Sequence, residues 1–320
     1  MSKFIEIRKK LAPFSHLAGT RVLIPGTTYC AHIFPTLVRL FNLMSEKLEL
    51  IEEKEIPRKG PVIPFTVMQD LEKQEVQIYG REKTGNFFKE RLQFVKQKRS
   101  NEILFLGRNK KQEWEKIKQR GDLSEIFPIW FRLAALLPNV DEPSSEEGIY
   151  SLLKACQEVI VKKEHDKIFA SFYPLFLAGF EGMMVPRLVD ADHQGIITGE
   201  ASGSPLSLLQ ASGKVIRSLF VCQGSSSISI LPHLPPECES GRMIHLDFPF
   251  GELNFEWTKK EVRRVIFHSR FEGELRFIFP PKIKSFRLRT SLKERGKRIF
   301  ITNRLELNSH STYLLDQFQK

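Results

Sequence analysis

The chain has 320 residues, 41% hydrophobic and 27% charged, which argues against disorder and fits one large domain or two to three smaller ones. Its net charge is +11, and its 26 Phe against 5 Tyr and 3 Trp favour an apolar core over a polar aromatic binding surface. The start, MSKFIEIRKKLAPFSHLAGT, lacks a signal-like apolar run, and no stretch approaches the roughly 20 apolar residues of a membrane span.

These features predict a cytoplasmic protein without a transmembrane segment. Cys30, Cys156, Cys222 and Cys238 are scattered without C-x-x-C spacing and read as reduced packing thiols, so neither a cofactor nor a metal is expected from them. Charge is segregated along the chain. Residues 258–304 carry 15 Lys and Arg against 4 Asp and Glu, and residues 81–120 carry 13 against 5. The remainder is net acidic, so a long-range field is expected.

Residues 19–43 read as extended, with β-branched and aromatic side chains around a turn at Pro25-Gly26. Residues 46–57 are highly charged and lead into the proline-rich loop EIPRKGPVIP. Val76 and Ile78 before Gly80 suggest a strand ending in a turn, and residues 86–94 and 101–107 are further strand candidates. Together they give an N-terminal β region, residues 1–108.

Residues 109–120 are polar helix formers, and Asp122 is a candidate N-cap with Glu125 three positions on. Ile126, Phe127, Trp130, Phe131, Leu133, Leu136 and Leu137 then form an apolar helical stripe that stops at Pro138. A second helix follows a Ser145 cap, a third holds residues 168–180 and is bent or started at Pro174, and shorter helical stretches lie within 205–220. This helical region spans 109–224.

Beyond it, short runs at 242–247, 252–257, 261–268, 274–279, 283–289, 298–301 and 312–315 alternate with period two. That is the signature of an antiparallel sandwich, and FEWTKKEVRRV reads as a hairpin around Thr258-Lys259-Lys260. The predicted class is α+β: an N-terminal β-sandwich-like region, a helical middle, and a C-terminal antiparallel β-sandwich over 225–320.

Leu231-Pro232-His233-Leu234-Pro235 follows a strand, and Phe250-Gly251-Glu252-Leu253-Asn254-Phe255-Glu256-Trp257 precedes Val262 to Ile266 and Ser269. This succession resembles the junction between helical barrel and C-terminal sandwich in fucosidase-type glycoside hydrolases. PFTVMQDLEKQEVQIYG is similar to a line of that family's N-terminal sandwich. The resemblance implies a carbohydrate-associated protein built in the order sandwich, helices, sandwich. A full barrel of about twelve helices needs well over about 200 residues, so the resemblance implies a shortened relative. Its shared motifs are structural and assign no catalytic carboxylate.

Glu181, Asp190, Asp192 and Glu200 are the carboxylates near glycines and a histidine in the middle region. Glycoside hydrolysis needs two carboxyls, about 5–5.5 Å apart for retention or about 6.5–9.5 Å for inversion. Glu181 with Asp190 or Asp192 is therefore the candidate acid–base pair. Asp190, Asp192 and His193 also suit a divalent metal, while the same run reads as a polar loop of Asx turns. Thr198 to Pro205 is a glycine-rich loop before a helix, without the P-loop lysine. Ser202 and Ser212 lack a nucleophile-elbow context, and His16, His32, His233, His245 and His268 join no triad.

Lys282, Lys284, Arg287 and Arg289 alternate with Ile283, Phe286 and Leu288. On a strand this predicts a basic outer face over an apolar inner one, which Arg276 and Arg295 to Arg298 would extend into a groove for nucleic acid or another polyanion. The same charge could instead blunt a sheet edge or face the acidic middle. Three functions follow: a carbohydrate-associated protein resembling a reduced glycoside hydrolase, a basic binding module, or an interaction scaffold whose charge segregation serves self-assembly.

Overall fold

A computed structural model describes residues 4–45, 48–58, 60–94, 100–141, 147–190 and 202–320. In chain order the first strands are β1 (Phe14–Ser15), β2 (Thr20–Leu23), β3 (Tyr29–Ile33), β4 (Leu37–Asn42), β5 (Glu49–Glu55), β6 (Phe65–Asp70), β7 (Glu75–Arg81) and β8 (Phe87–Leu92). They form two antiparallel sheets, ordered β2-β3-β4-β5 and β1-β6-β7-β8. Buried Gln69 on β6 donates from Nε2 to the Leu23 carbonyl at the end of β2, 2.6 Å away, tying one sheet to the other. The highly charged stretch after residue 46 is thus partly a strand. Pairing with β4 makes β5 extended although all seven of its residues are exposed.

Next come β9 (Ile103–Phe105), then α1 (Trp114–Arg120), α2 (Leu123–Leu136), α3 (Ile149–Val161), α4 (Ile168–Gly179), β10 (Phe180–Glu181), β11 (Val185–Pro186) and α5 (Pro205–Phe220). Asp122 caps α2 as its sequence predicts, its carboxylate accepting from the Ser124 N–H at 2.9 Å. Pro174 sits inside α4. Ser145 lies outside the described residues. No helix among the described residues is long and apolar enough to cross a membrane.

The centre of the helical layer is Trp130, which is fully buried. Its ring packs on Phe127, Phe172, Phe176 and Phe180 at centroid distances of 4.6–6.2 Å, and its Nε1 donates to Ser212 Oγ at 2.8 Å. Edge-to-face contacts of this kind suit the ring quadrupoles. Helices α2 and α5 approach so closely here that a Cβ on Gly213 would fall 2.2 Å from the Ala134 Cβ.

The remaining strands are β12 (Val221–Gln223), β13 (Ser227–Ile230), β14 (Ser240–Phe248), β15 (Gly251–Thr258), β16 (Glu261–Ser269), β17 (Gly273–Ile278), β18 (Ser285–Arg289), β19 (Lys297–Phe300), β20 (Leu305–Leu307) and β21 (Thr312–Gln319). Seven strands form one antiparallel sheet in the order β19-β18-β21-β16-β15-β14-β9. A second sheet, β12-β13-β17-β20, faces it through Phe267 and Phe277, whose centroids are 5.5 Å apart.

Two features depart from the sequence reading. β13 and β17 pair in parallel within an otherwise antiparallel set. β9, expected in the N-terminal β region, is instead the edge strand beside β14. Its alternating pattern specifies a strand but not which sheet receives it.

Gly213→Ala gains helix propensity of about 1 kcal/mol, but overpacking against Ala134 costs about 1–3 kcal/mol. The expected result is a lower urea midpoint at unchanged slope, partly recovered when Ala134→Gly is added.

Candidate anion-binding cleft

Three chain segments meet at one end of the seven-stranded sheet. The first is the tight turn between β15 and β16, where Lys259 and Lys260 occupy left-handed backbone conformations at φ 55° and 60°. Two consecutive positive φ values match the right-handed twist of a two-residue hairpin. They also direct two lysines outward at adjacent positions. The Lys260 N–H donates to the Glu239 carbonyl at 2.8 Å, fixing the turn against the preceding loop.

The second segment is the approach to β18. Here the Ile283 N–H donates to Pro280 O at 3.0 Å and the Lys284 N–H donates to Gln319 O at 2.8 Å. The third is the end of β21, where Phe318 packs on Phe279 and Phe286 at 5.1 and 6.0 Å.

Between these segments lies a cleft of about 390 Å³. Buried Val262 and Ile283 and half-buried Phe318 supply its apolar wall. Lys259, Lys260, Arg263, Lys282 and Lys320 supply five cations against the single carboxylate of Glu261. That carboxylate pairs with Lys320 at 2.5 Å and forms an ion pair with Arg263 at 3.2 Å. The hydrogen bond and charge of Lys320, then the charges of Arg263 and Lys282, hold it below the usual carboxylate range. Lys259, Lys260 and Lys282 make no ion pair among the described residues, so excess positive charge remains at the rim.

The sequence-predicted basic residues divide. Lys282 lines the cleft, and Lys284 is exposed beside it but not part of its wall. Arg287 and Arg289 do share one face of β18, but that face meets buried Asp316 on β21. Arg287 Nε and Nη2 donate to its two carboxylate oxygens at 2.7 and 3.0 Å, and Arg289 donates to Oδ2. Arg289 is only 8% exposed. Burial alone would raise the Asp316 pKa, but the hydrogen bond from Arg287 and the charges of both arginines outweigh it and hold the carboxyl below its ordinary value. Sequence reasoning missed Arg263 and Lys320 as partners of Lys282. The Thr258-Lys259-Lys260 hairpin was the signal that could have led to the rest.

Of the candidate acid–base residues, the two that are described, Glu181 and Asp190, are each held by an arginine. Glu181 on β10 accepts from Arg21 on β2 at 2.6 Å. Asp190 is buried and accepts from Arg187 at 3.0 Å, while the same guanidinium donates to the Leu177 and Ala178 carbonyls at the end of α4. The cleft beside Glu181 is walled by Arg21, Trp114, Glu115 and Lys118 among others, with neither Glu181 nor Asp190 in its wall. Asp192, His193 and Glu200 lie outside the described residues.

The glycine-rich loop ends in a helix cap, with Ser204 Oγ accepting from Leu206 N at 3.2 Å and donating to Leu43 O at 2.6 Å. Ser212 is buried under Trp130. Burial raises the thiols of Cys30 and Cys156 to about 12 and pushes Cys238 up as well, consistent with packing roles. No protein-family model matches this chain, and no curated protein matches it either.

Asp316→Asn leaves two guanidinium groups without their anion, one of them buried, and should lower stability by more than the ~0.5 kcal/mol usual for surface changes. The contribution of Asp316 is complete above the carboxyl's ordinary value of 3.8 and is lost as pH falls through its lower value in the fold. Urea midpoints measured from neutral to acidic pH should therefore show an acid-dependent loss in the parent chain that is reduced in the variant.

Proposed function

We propose that this protein binds an anionic ligand, phosphate- or sulfate-bearing, in the cleft formed by the β15–β16 turn, the β18 approach and the end of β21. One observation carries the reading: five cationic side chains and one carboxylate surround an apolar wall within a single cleft. Three of those cations have no ion-pair partner among the described residues. A cleft lined by one sign of charge raises the local concentration of its counter-ion. The wall of Val262, Ile283 and Phe318 gives a ligand backbone something to lie against.

Electrostatics, rather than stacking, supports this reading, since Phe318 is the single aromatic in the wall. The carbohydrate association implied by the resemblance enters as a choice of ligand, an acidic oligosaccharide. The hydrolase reading gains no comparable support, because Glu181 and Asp190 are each committed to an arginine.

Binding is tested with two probes, a single-stranded oligonucleotide and a sulfated oligosaccharide, each titrated between about 50 and 200 mM salt. With Lys259, Lys260 and Lys282 each on a phosphate, the oligonucleotide's log affinity against log salt should fall with a slope of about −2. Lys259→Ala with Lys260→Ala should flatten that slope to about −0.7. Preference for the sulfated sugar would assign the ligand to glycans. Absence of binding at low salt, or a slope untouched by the substitutions, rejects the proposal.

A further inference from the structure

Two edge strands of this chain lie open, and their sequences are complementary. β5 ends the sheet β2-β3-β4-β5, and β19 ends the seven-stranded sheet. An edge strand offers unpaired backbone N–H and C=O groups to another strand, and proteins commonly blunt such edges with charge. β5, ELIEEKE, carries four glutamates and one lysine and is exposed along its whole length. It also presents Leu50 and Ile51 at 51% and 48% exposure. β19, KRIF, carries Lys297 and Arg298 with half-buried Ile299, and Phe300 is 60% exposed.

Neither edge is well matched to its own kind. Centred antiparallel on Glu52, β5 against a second β5 opposes Glu52 to Glu52 and Glu49 to Glu55, and β19 fully overlapped with a second β19 sets Lys297 against Phe300 and Arg298 against Ile299. The β5–β19 pair has no such conflict. Set antiparallel with Glu53 opposite Lys297, the next pair is Glu52 with Arg298, so two carboxylates meet two cations, with directly opposite residues on the same face. Beyond them β5 carries an extra residue against β4, Ile51, which brings Leu50 and Ile51 together beside Ile299 and Phe300. Glu53 already accepts from Arg39 on the neighbouring strand, so the incoming lysine would extend an existing ion pair.

We propose that copies of this protein associate head to tail, β5 of one pairing antiparallel with β19 of the next in this register. The occupant of each edge is a second copy of the same chain. The symmetric pairings set like charges, or a charge and an apolar side chain, opposite each other, whereas the unlike strand matches carboxylate to cation. Such a contact is heterologous, so it propagates into a ring or an open fibre rather than stopping at a symmetric dimer. The association stands independently of the anion-binding cleft, since none of the β5 or β19 residues lines it.

Sedimentation velocity over a concentration series, at low and high salt, tests the idea on the full chain. Average mass should rise with concentration at low salt and fall towards the monomer when salt is added. Glu52→Lys alone and Arg298→Glu alone should each shift the population to monomer, and an equimolar mixture of the two should restore assembly. Both positions are exposed, and matching thermal melts confirm that the variants fold.

The register is read with a short bismaleimide. A mixture of Ile51→Cys and Ile299→Cys chains should crosslink, above the background of the parent chain, in preference to either variant alone. A parent chain monomeric at every concentration, a mixture that stays monomeric, or equal crosslinking of Ile51→Cys with itself would overturn the proposal.

Discussion

The carboxylate of Glu102 holds the helical layer against the C-terminal sheet, and much of the architecture depends on that junction. It lies just before β9 and is buried. Arg217 of α5 grips it with Nε and Nη2, each at 3.0 Å, and the Asp247 N–H of β14 donates to it at 3.0 Å. Buried Arg132 of α2 completes the joint by donating to the Ser100 and Glu102 carbonyls at 2.7 and 3.0 Å. A bidentate guanidinium–carboxylate pair fixes orientation as well as distance, and removing one partner of such a buried pair leaves an uncompensated charge. Two helices, the β9 approach and β14 are therefore placed by one charged cluster. Around it the main hydrophobic core runs from Leu11 through Trp130 to Leu315, joining all three sequence regions, with a smaller second cluster of Ile5, Ile244, Ile266 and Leu314.

The same guanidinium chemistry explains why charge runs in this sequence have unequal consequences. Arginines that reach a buried carboxylate are absorbed into the fold. Arg287 and Arg289 meet Asp316, Arg217 meets Glu102, and Arg187 meets Asp190. Lysines at turns are left at the surface, as at Lys259, Lys260 and Lys282. A planar fork with several donors can satisfy a buried anion, whereas a strongly hydrated ammonium on a flexible stem favours the rim. Positive charge available to a ligand is thus concentrated where the chain turns, and the basic strand β18 contributes chiefly to cohesion.

Both functional readings follow from where the sheets end. The cleft exists because a tight hairpin turn, a proline-led turn and a final strand stop at the same level of one sheet. The open edges exist because, among the described residues, no further strand pairs with the outermost strands β5 and β19. β5 is predominantly acidic and β19 is basic, so opposite charge favours pairing of each edge with the other.

The sequence by itself determined the class, the order sheet–helices–sheet, the Asp122 cap, the apolar face around Trp130 and the lysine hairpin. All of these are written in local periodicity, capping chemistry and turn residues. It also placed Arg287 and Arg289 on one face of a strand, because alternation fixes faces. Which face would meet Asp316, nearly 30 positions along the chain, was decided by tertiary structure. So were the sheet that receives β9, the parallel pairing of β13 with β17, and the convergence of Lys259, Lys282 and Lys320 on one cleft. The physical reason is common to these cases. Alternation specifies the sides of a strand, while its partner is chosen by contacts between residues far apart in sequence, and those contacts leave no mark in any local window.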